Sequence, residues 1–167
     1  VAEALAKTGI ENFTLMDFDR LEVANVSRHA AGLSDVGRYK VNAVADIIKN
    51  INPHAKINKH IEKVNWHNVD NVKKVIQNAD RVVCATDTRE SRLIINRICI
   101  EMRKICIFLG CFRRAYGGQI LVTYPYATLC YQCLCMQIPE IANDIVVSNN
   151  VAERIAYTDR PVAVEPG

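Results

Sequence analysis

Short apolar runs alternate with segments of helical spacing along the chain as far as Gly110. Four of these runs predict β-strands, at residues 13–16, 55–61, 81–85 and 105–109. In the segments between them, apolar residues recur at intervals of three, four and seven positions, which indicates amphipathic helices. These predicted helices occupy residues 36–51, 69–76 and 90–103.

The alternation of strands and helices predicts an α/β fold of the Rossmann-like, doubly wound type with a mainly parallel sheet. After Gly110 the pattern changes, because Gly117 and Gly118 indicate a hairpin with residues 119–124 as its returning strand. We therefore expect an antiparallel strand at the edge of the sheet. A chain of 167 residues, half of them apolar, is long enough for one domain with a substantial core.

The start of the chain is expected to lie inside this domain. Residues 1–7 have the character of a helix end, closed near Gly9, and they lead directly into the first predicted strand. In dinucleotide-binding folds a glycine-rich turn lies about 20 residues before the acidic residue that ends the strand. With Asp17 as that residue, we expect the turn and its preceding strand to come before Val1.

Acidic residues follow two of the predicted strands. Asp17 and Asp19 come after the first, and Asp87 comes after the third. Open α/β sheets bind ligands at the carboxyl ends of their strands, so we expect Asp17 to accept hydrogen bonds from a ribose. Asp87 can hold magnesium, which takes one or two carboxylates together with phosphate oxygens. The structural alternatives are a solvated turn acid at Asp17 and a helix cap at Asp87.

Two cations and an amide lie between these acids in sequence. Asn25 and Arg28 are three residues apart, so a short helical turn can point both at one ligand. Arginine suits phosphate because its planar fork donates parallel hydrogen bonds. Lys40 is expected one turn into the helix of residues 36–51, capped by Asp35 or Ser34, where an anionic ligand would compensate its charge. The alternatives are a surface ion pair for Arg28, with Asp19 or Glu22, and an ordinary exposed lysine.

Cys130 and Cys133 form a CxxC pair, which is half of a tetrahedral zinc site. Cys135 is a third ligand only in a strained local arrangement. The alternative is a pair of unliganded loop cysteines. A thioredoxin-like redox role is disfavoured, because the pair is expected to follow a hairpin rather than to start a helix.

Charge and composition exclude several classes of function. The 21 basic and 18 acidic residues give a net charge of +3 and are scattered along the chain, so no nucleic-acid-binding stripe is expected. No apolar stretch approaches the about 20 residues that span a membrane. Seven cysteines, mostly in apolar runs, suit a reducing compartment, so we expect a cytoplasmic protein.

The order of these motifs resembles the ThiF/MoeB/HesA family of adenylyltransferases, which are related to ubiquitin-activating enzymes. The series is LMDFD, NVSR, VGRYK, INPHAKI, CATDT, the glycine pair and the CxxC pair, and it covers essentially the whole chain. The resemblance implies ATP-dependent adenylation of the C-terminal carboxylate of a ubiquitin-like or sulfur-carrier protein, with ATP and magnesium as cofactors. It also implies a homodimer.

The resemblance also assigns roles to individual residues. Asp17 would contact the ribose, with Asp19 and Asn25 beside the nucleotide, and Arg28, Lys40 and an Asp87-held magnesium ion would offset charge on the phosphates. The partner cysteine pair for zinc would lie beyond Gly167, so the domain is expected to be truncated at both ends. Arg113 and Arg114, with the glycine pair after them, would line a channel for the carrier's tail.

This sequence departs from the family pattern at two positions. His29 replaces a glutamine after the arginine, and Ala163 stands where some members have a nucleophilic cysteine. A non-catalytic carrier-binding or dimerisation module is therefore the main alternative function. A nicotinamide-dependent dehydrogenase is a further alternative, but that function assigns no role to the cationic side chains of Arg28 and Lys40.

Overall fold

The computed structural model describes residues 1–111 and 117–137 of the chain. Contacts within the chain divide it into two compact units, Val1–Lys63 and Val64–Gly167, called here the first and second unit. Both units combine helices with strands, which confirms the predicted α/β class. Within the described ranges, no helix has the length and apolar character needed to cross a membrane.

The first unit contains two strands and two α-helices: α1 (Ala2–Lys7), β1 (Asn12–Met16), α2 (Lys40–Ile51) and β2 (Lys56–His60). β1 and β2 pair in parallel, with Asn12 opposite Lys56 and Met16 opposite His60. Both helices pack on this pair, and their core includes Ala6, Phe13 and Ile48, all buried. The expected end of α1 is confirmed, since Gly9 follows it with a φ of +87°.

Helix α2 begins at Lys40 rather than near residue 36, so the predicted caps Asp35 and Ser34 were wrong. The preceding residues are held in other pairings. The Leu21 N–H donates to the Arg38 carbonyl, and the Gly37 N–H donates to the Leu21 carbonyl, both at 2.8 Å. A chain segment paired in this way cannot also be helical, and Lys40 therefore becomes the first residue of the helix.

The second unit has three strands and three α-helices: α3 (Val69–Gln77), β3 (Arg81–Cys84), α4 (Arg89–Glu101), β4 (Ile105–Cys111), β5 (Gly118–Thr123) and α5 (Tyr131–Gln137). β3 pairs with β4 in parallel, and β4 pairs with β5 in antiparallel fashion. The predicted antiparallel strand after the glycine pair is thus confirmed.

The core of the second unit lies between its sheet and helices α4 and α5. Alternate residues of β4 are buried, as expected for a strand with one face against helices. Phe108 from that face stacks on Tyr131 of α5, with ring centroids 4.9 Å apart. Asn96 of α4 accepts a hydrogen bond from the Tyr131 N–H at 2.9 Å, and this bond fixes the start of α5.

Candidate nucleotide site

The acidic residues after β1 form a tight turn at the strand end. The Asp17 N–H donates to the His60 carbonyl at 3.1 Å, which continues the pairing of β1 with β2 by one residue. The Asp17 Oδ1 accepts the N–H of Asp19 at 2.8 Å. Such a local side-chain bond holds the chain in a turn. Asp17 therefore lies at the carboxyl end of β1, as predicted.

Lys40 is joined to this turn by two bonds. Its N–H donates to the Asp19 carbonyl at 2.9 Å, and its Nζ donates to Asp19 Oδ2 at 2.8 Å. The carboxylate offsets the unfavourable position of a lysine in the first turn of a helix. The Lys40 side chain is 20% exposed, whereas that of Asp19 is 45% exposed. The ammonium group is thus held near the strand end by a partly exposed acid.

Asn25 and Arg28 lie in the 3₁₀ helix Val23–Arg28, which confirms that a short helical turn carries both. The Asn25 Oδ1 accepts the N–H of Glu22 at 3.1 Å, so this carbonyl oxygen has a structural role at the start of the turn. The Arg28 Nη1 donates to the Ala24 carbonyl at 3.1 Å, and the side chain is exposed. Asp19, one of the two expected surface partners of Arg28, forms an ion pair with Lys40.

His29 ends the same 3₁₀ helix and is half-buried. Burial lowers the pKa of its imidazole, and the nearby charge of Lys40 lowers it further, while Asp17 and Asp35 act in the opposite direction. The electrostatic environment of the ring therefore includes residues from the end of β1 and the start of α2. The structure brings His29 to this group, although sequence reasoning treated it only as a departure from a family pattern.

Asp87 lies in the second unit, exposed, between the end of β3 and the start of α4. The residue that caps α4 is Thr88, whose Oγ1 accepts the N–H of Ser91 at 3.3 Å. The alternative in which Asp87 is the helix cap was therefore wrong. Ser91 Oγ also donates to Thr86 Oγ1 at 2.7 Å, so hydroxyl groups on both sides of Asp87 are engaged in holding the loop.

Arg92 supports the Asp87 loop from the interior, and sequence reasoning missed it. Its Nε donates to the Thr86 carbonyl at 2.7 Å, and its Nη2 donates to the Leu109 carbonyl of β4. The residue is only 3% exposed. The sequence does contain a sign of its position. Arg92 lies three residues before Ile95 and seven before Cys99, so helical spacing puts it on the apolar face of α4.

The sulfur atoms of Cys130 and Cys133 are 3.5 Å apart. Cys130 directly precedes α5, so the expectation that this pair lies away from a helix start was wrong. Burial opposes ionisation of Cys130, but bonds from the Cys133 amide and the Asn96 side chain hold the pKa of its thiol below the ordinary value. The argument used against a redox role therefore no longer holds.

The cysteine pair supplies two ligands of the type that zinc needs. Its sulfur separation is close to the edge of a tetrahedron with Zn–S bonds of about 2.3 Å, which is about 3.8 Å. Cys135 is 4% exposed inside α5. Within the part of the chain that the structure describes, no three His, Cys, Asp or Glu side chains form a metal-binding group. The zinc half-site therefore stays a prediction, as does magnesium at Asp87.

Three residues named in the sequence analysis fall outside the described residues. They are Arg113 and Arg114, expected at a channel for the carrier's tail, and the alanine at position 163. Gly118, by contrast, begins β5. A Cβ added at Gly118 would lie 3.0 Å from the Gly110 carbonyl oxygen, so β4 and β5 approach closely there.

The chain is similar to several known proteins in sequence and in fold. The sequence model of the ThiF family matches residues 1–157. Ubiquitin-like modifier-activating enzyme 5 of Bombyx mori is 32% identical over 168 residues, which cover 92% of this chain and 39% of that protein. The structure of E. coli MccB with ATP has a TM-score of 0.69 at 22% identity and covers 93% of this chain and 49% of that chain.

A second solved structure shares more sequence over a shorter region. E. coli TcdA, a tRNA N6-threonylcarbamoyladenosine dehydratase in complex with AMP, has a TM-score of 0.59 at 30% identity. The match covers 64% of this chain and 44% of that chain. The chain spans between 36% and 39% of the length of the ubiquitin-like modifier-activating enzymes compared with it.

Proposed function

The chain belongs to the ThiF family, and from this membership we propose that it forms the nucleotide-binding part of an enzyme that adenylates a protein carboxylate with ATP. The acceptor is the C-terminal carboxylate of a ubiquitin-like or sulfur-carrier protein. The observation that carries the proposal is the bonding of Lys40 to Asp19 beside Asp17, which places a cation and ribose-type acceptors at one strand end. That combination suits a nucleotide with its phosphates.

The reaction is an in-line displacement at phosphorus. A carboxylate oxygen attacks the α-phosphorus, an acyl–oxygen–phosphorus bond forms, and the bond to the bridging oxygen of pyrophosphate breaks. Arg28 and Lys40 bind phosphate oxygens and offset the charge that develops on them. Asp17 accepts hydrogen bonds from the ribose, and Asn25 orients the segment that carries Arg28. Holding the reactants in line supplies much of the acceleration.

Asp87 is the residue that would hold magnesium. Its carboxylate is exposed at a strand end, and magnesium needs few protein ligands because phosphate oxygens and water complete its shell. When bound, the ion neutralises phosphate charge. The residues of the chain keep that carboxylate in place, since Thr86 and Thr88 on either side are bonded through Ser91.

The partners of the enzyme follow from the same proposal. A ubiquitin-like or sulfur-carrier protein supplies the carboxylate, and a second copy of the chain completes a homodimer in the cytoplasm. Cys130 and Cys133, whose sulfur atoms are in contact, contribute two of four ligands to a structural zinc ion. Binding to nucleic acid or to a membrane has no part in this function.

A non-catalytic carrier-binding or dimerisation module is the second candidate. The alanine at position 163 favours it, because an alanine cannot form a thioester. Adenylation itself needs no cysteine. Against the module stands the retention of Asp17, Arg28, Lys40 and Asp87 as a charged set, because a module that binds no nucleotide has no physical need to keep these residues together.

Carrier-dependent exchange of labelled pyrophosphate into ATP separates the two candidates. The full-length protein, with magnesium and a carrier ending in glycine, is expected to catalyse exchange, and Asp87→Ala is expected to abolish it. Asp80→Ala is the matched control, because Asp80 is also exposed but precedes β3 rather than following it. Exchange that survives in Asp87→Ala would remove the metal role, and no exchange in the wild type would favour the module.

A further inference from the structure

His29 is adjacent in sequence to Arg28, one of the residues that are proposed to bind phosphate. It follows Arg28 directly and ends the 3₁₀ helix with an extended backbone. Its imidazole interacts electrostatically with Lys40, Asp17 and Asp35. These three residues come from the start of α2, the end of β1 and the 3₁₀ helix Leu33–Asp35. The imidazole therefore shares its electrostatic environment with two of the residues proposed to bind the nucleotide, Asp17 and Lys40.

One ring nitrogen of His29 is already used. Its Nδ1 accepts the N–H of Ala31 at 3.0 Å. An accepting nitrogen carries no proton, so the neutral ring has its proton on Nε2. Ala31 is 2% exposed and packs against Leu21 and Ala43, so the bond ties the ring to a fixed part of the first unit.

The other nitrogen is a donor without a hydrogen-bond acceptor in the described part of the chain. The bond to Ala31 fixes both the ring orientation and the tautomer, so the direction of the Nε2–H group is set before any ligand arrives. A donor that needs no reorganisation binds an anion at a lower entropic cost than a flexible one. Lys40, by contrast, must first exchange its bond to Asp19.

We propose that His29 is a phosphate-binding residue of the nucleotide site, donating from Nε2 to a phosphate oxygen while Nδ1 holds the Ala31 amide. The inference rests on the proposed nucleotide function. It assigns the histidine a ligand contact of its own beside Arg28 and Lys40. The neutral ring makes this contact, so no charge needs to be buried.

Two substitutions test the roles of the two ring nitrogen atoms separately. In His29→Asn the side-chain carbonyl reaches the place of Nδ1 and can accept from Ala31, but the distal donor is lost. In His29→Gln the amide reaches the place of Nε2 and can donate, but the proximal acceptor is lost. His54→Asn is the matched control, since His54 is an exposed histidine of the same unit.

Calorimetry with ATP and thermal unfolding test the assignment together. His29→Asn is expected to unfold close to the wild-type temperature and to bind ATP about threefold to tenfold more weakly, the loss expected for one hydrogen bond. His29→Gln is expected to unfold at a lower temperature and to bind ATP more tightly than His29→Asn. His54→Asn is expected to change neither quantity.

A nitrogen-15 spectrum of the imidazole adds a readout that does not depend on variants. The Nε2 signal of His29 is expected to shift on addition of ATP and to stay in place on addition of adenosine. If the wild type binds ATP but His29→Asn binds it equally well and Nε2 does not shift, the assignment of His29 is wrong. If the wild type does not bind ATP at all, the proposed function itself fails.

Discussion

The two strand ends that carry the candidate residues are built in different ways. After β1, the candidate residues are bonded to each other, and the central pair of Lys40 and Asp19 is partly exposed. After β3, the loop that contains the exposed Asp87 is held by the buried Arg92, which donates to the Thr86 carbonyl. Within the described residues, no side-chain hydrogen bond of Asp87 holds this loop. A substitution at the first strand end is thus expected to leave the stability of its unit nearly unchanged. The loop at the second strand end keeps its conformation only if a buried side chain of the core is in place.

Replacing Arg92 should produce the largest effect on stability. In Arg92→Met the side chain still fills space, but the Thr86 and Leu109 carbonyls lose their partner. Thr86 and Leu109 are half-buried, so the loss of both bonds is expected to lower the free energy of unfolding by about 1–3 kcal/mol. Urea denaturation measures this loss.

The control for Arg92 lies on the same helix. Arg97 is 66% exposed in its side chain and pairs with Glu101, so Arg97→Met should cost less than about 1 kcal/mol. Equal losses in the two variants would show that the second site does not depend on the core in the way described.

The cap of α4 should give a smaller effect. Thr88→Ala removes the oxygen that accepts from the Ser91 N–H, and loss of such a cap costs about 1 kcal/mol. Thr88→Ser keeps the hydroxyl and should be nearly neutral. Because the cap adjoins Asp87, Thr88→Ala should also slow pyrophosphate exchange, and chemical denaturation together with the exchange assay measures both changes.

Replacing Lys40 should affect binding far more than folding. The partly exposed pair with Asp19 contributes less than about 1 kcal/mol, so Lys40→Met should unfold nearly as the wild type does. Its affinity for ATP in calorimetry should fall more than tenfold, since a charge-assisted phosphate contact is worth about 1.5–3 kcal/mol. Lys49→Met, on an exposed position of the same helix, is the control. A large loss of stability in Lys40→Met would show that the strand end after β1, like that after β3, is needed for the stability of its unit.

The smallest expected effect is a pH dependence from His29. Folding lowers the pKa of this imidazole below 6.5, so the unfolded chain binds the proton more readily than the folded one. The contribution to stability is therefore present above pH 6.5 and is lost as the pH falls through the folded-state pKa. Unfolding measured across this range should show a slope in the wild type that is weaker in His29→Gln.

Much of the fold could be predicted because it depends on local pattern. Short apolar runs identified β1 to β4, and the glycine pair identified β5. The family resemblance that the motif series suggested is confirmed by the match to residues 1–157. The start of α2 was misplaced because pairing of residues 37 and 38 with Leu21 is a contact between segments distant in sequence. Periodicity contains no information about such contacts.

The candidate site was predicted only in part, for a similar reason. Acidic residues after strands and a lysine in the first turn of a helix are visible in sequence, so Asp17, Asp87 and Lys40 were named as candidates. Arg92 was missed because its spacing puts it on the apolar face of α4, where an arginine is unexpected until its carbonyl partners are known. Asp87 rather than Thr88 was considered as the cap of α4. Both residue types are suitable caps, and the choice depends on the residue at which the helical backbone begins.

The central claim is that a carboxylate oxygen of the carrier attacks the α-phosphorus of ATP. A carrier labelled with oxygen-18 in its C-terminal carboxylate, incubated with the full-length protein, ATP, magnesium and hydroxylamine, tests this most directly. Hydroxylamine attacks the acyl carbon, the carbon–oxygen bond breaks, and the bridging oxygen leaves with AMP. The account predicts AMP that carries one oxygen-18 atom. Unlabelled AMP, or ADP with labelled phosphate, would contradict it.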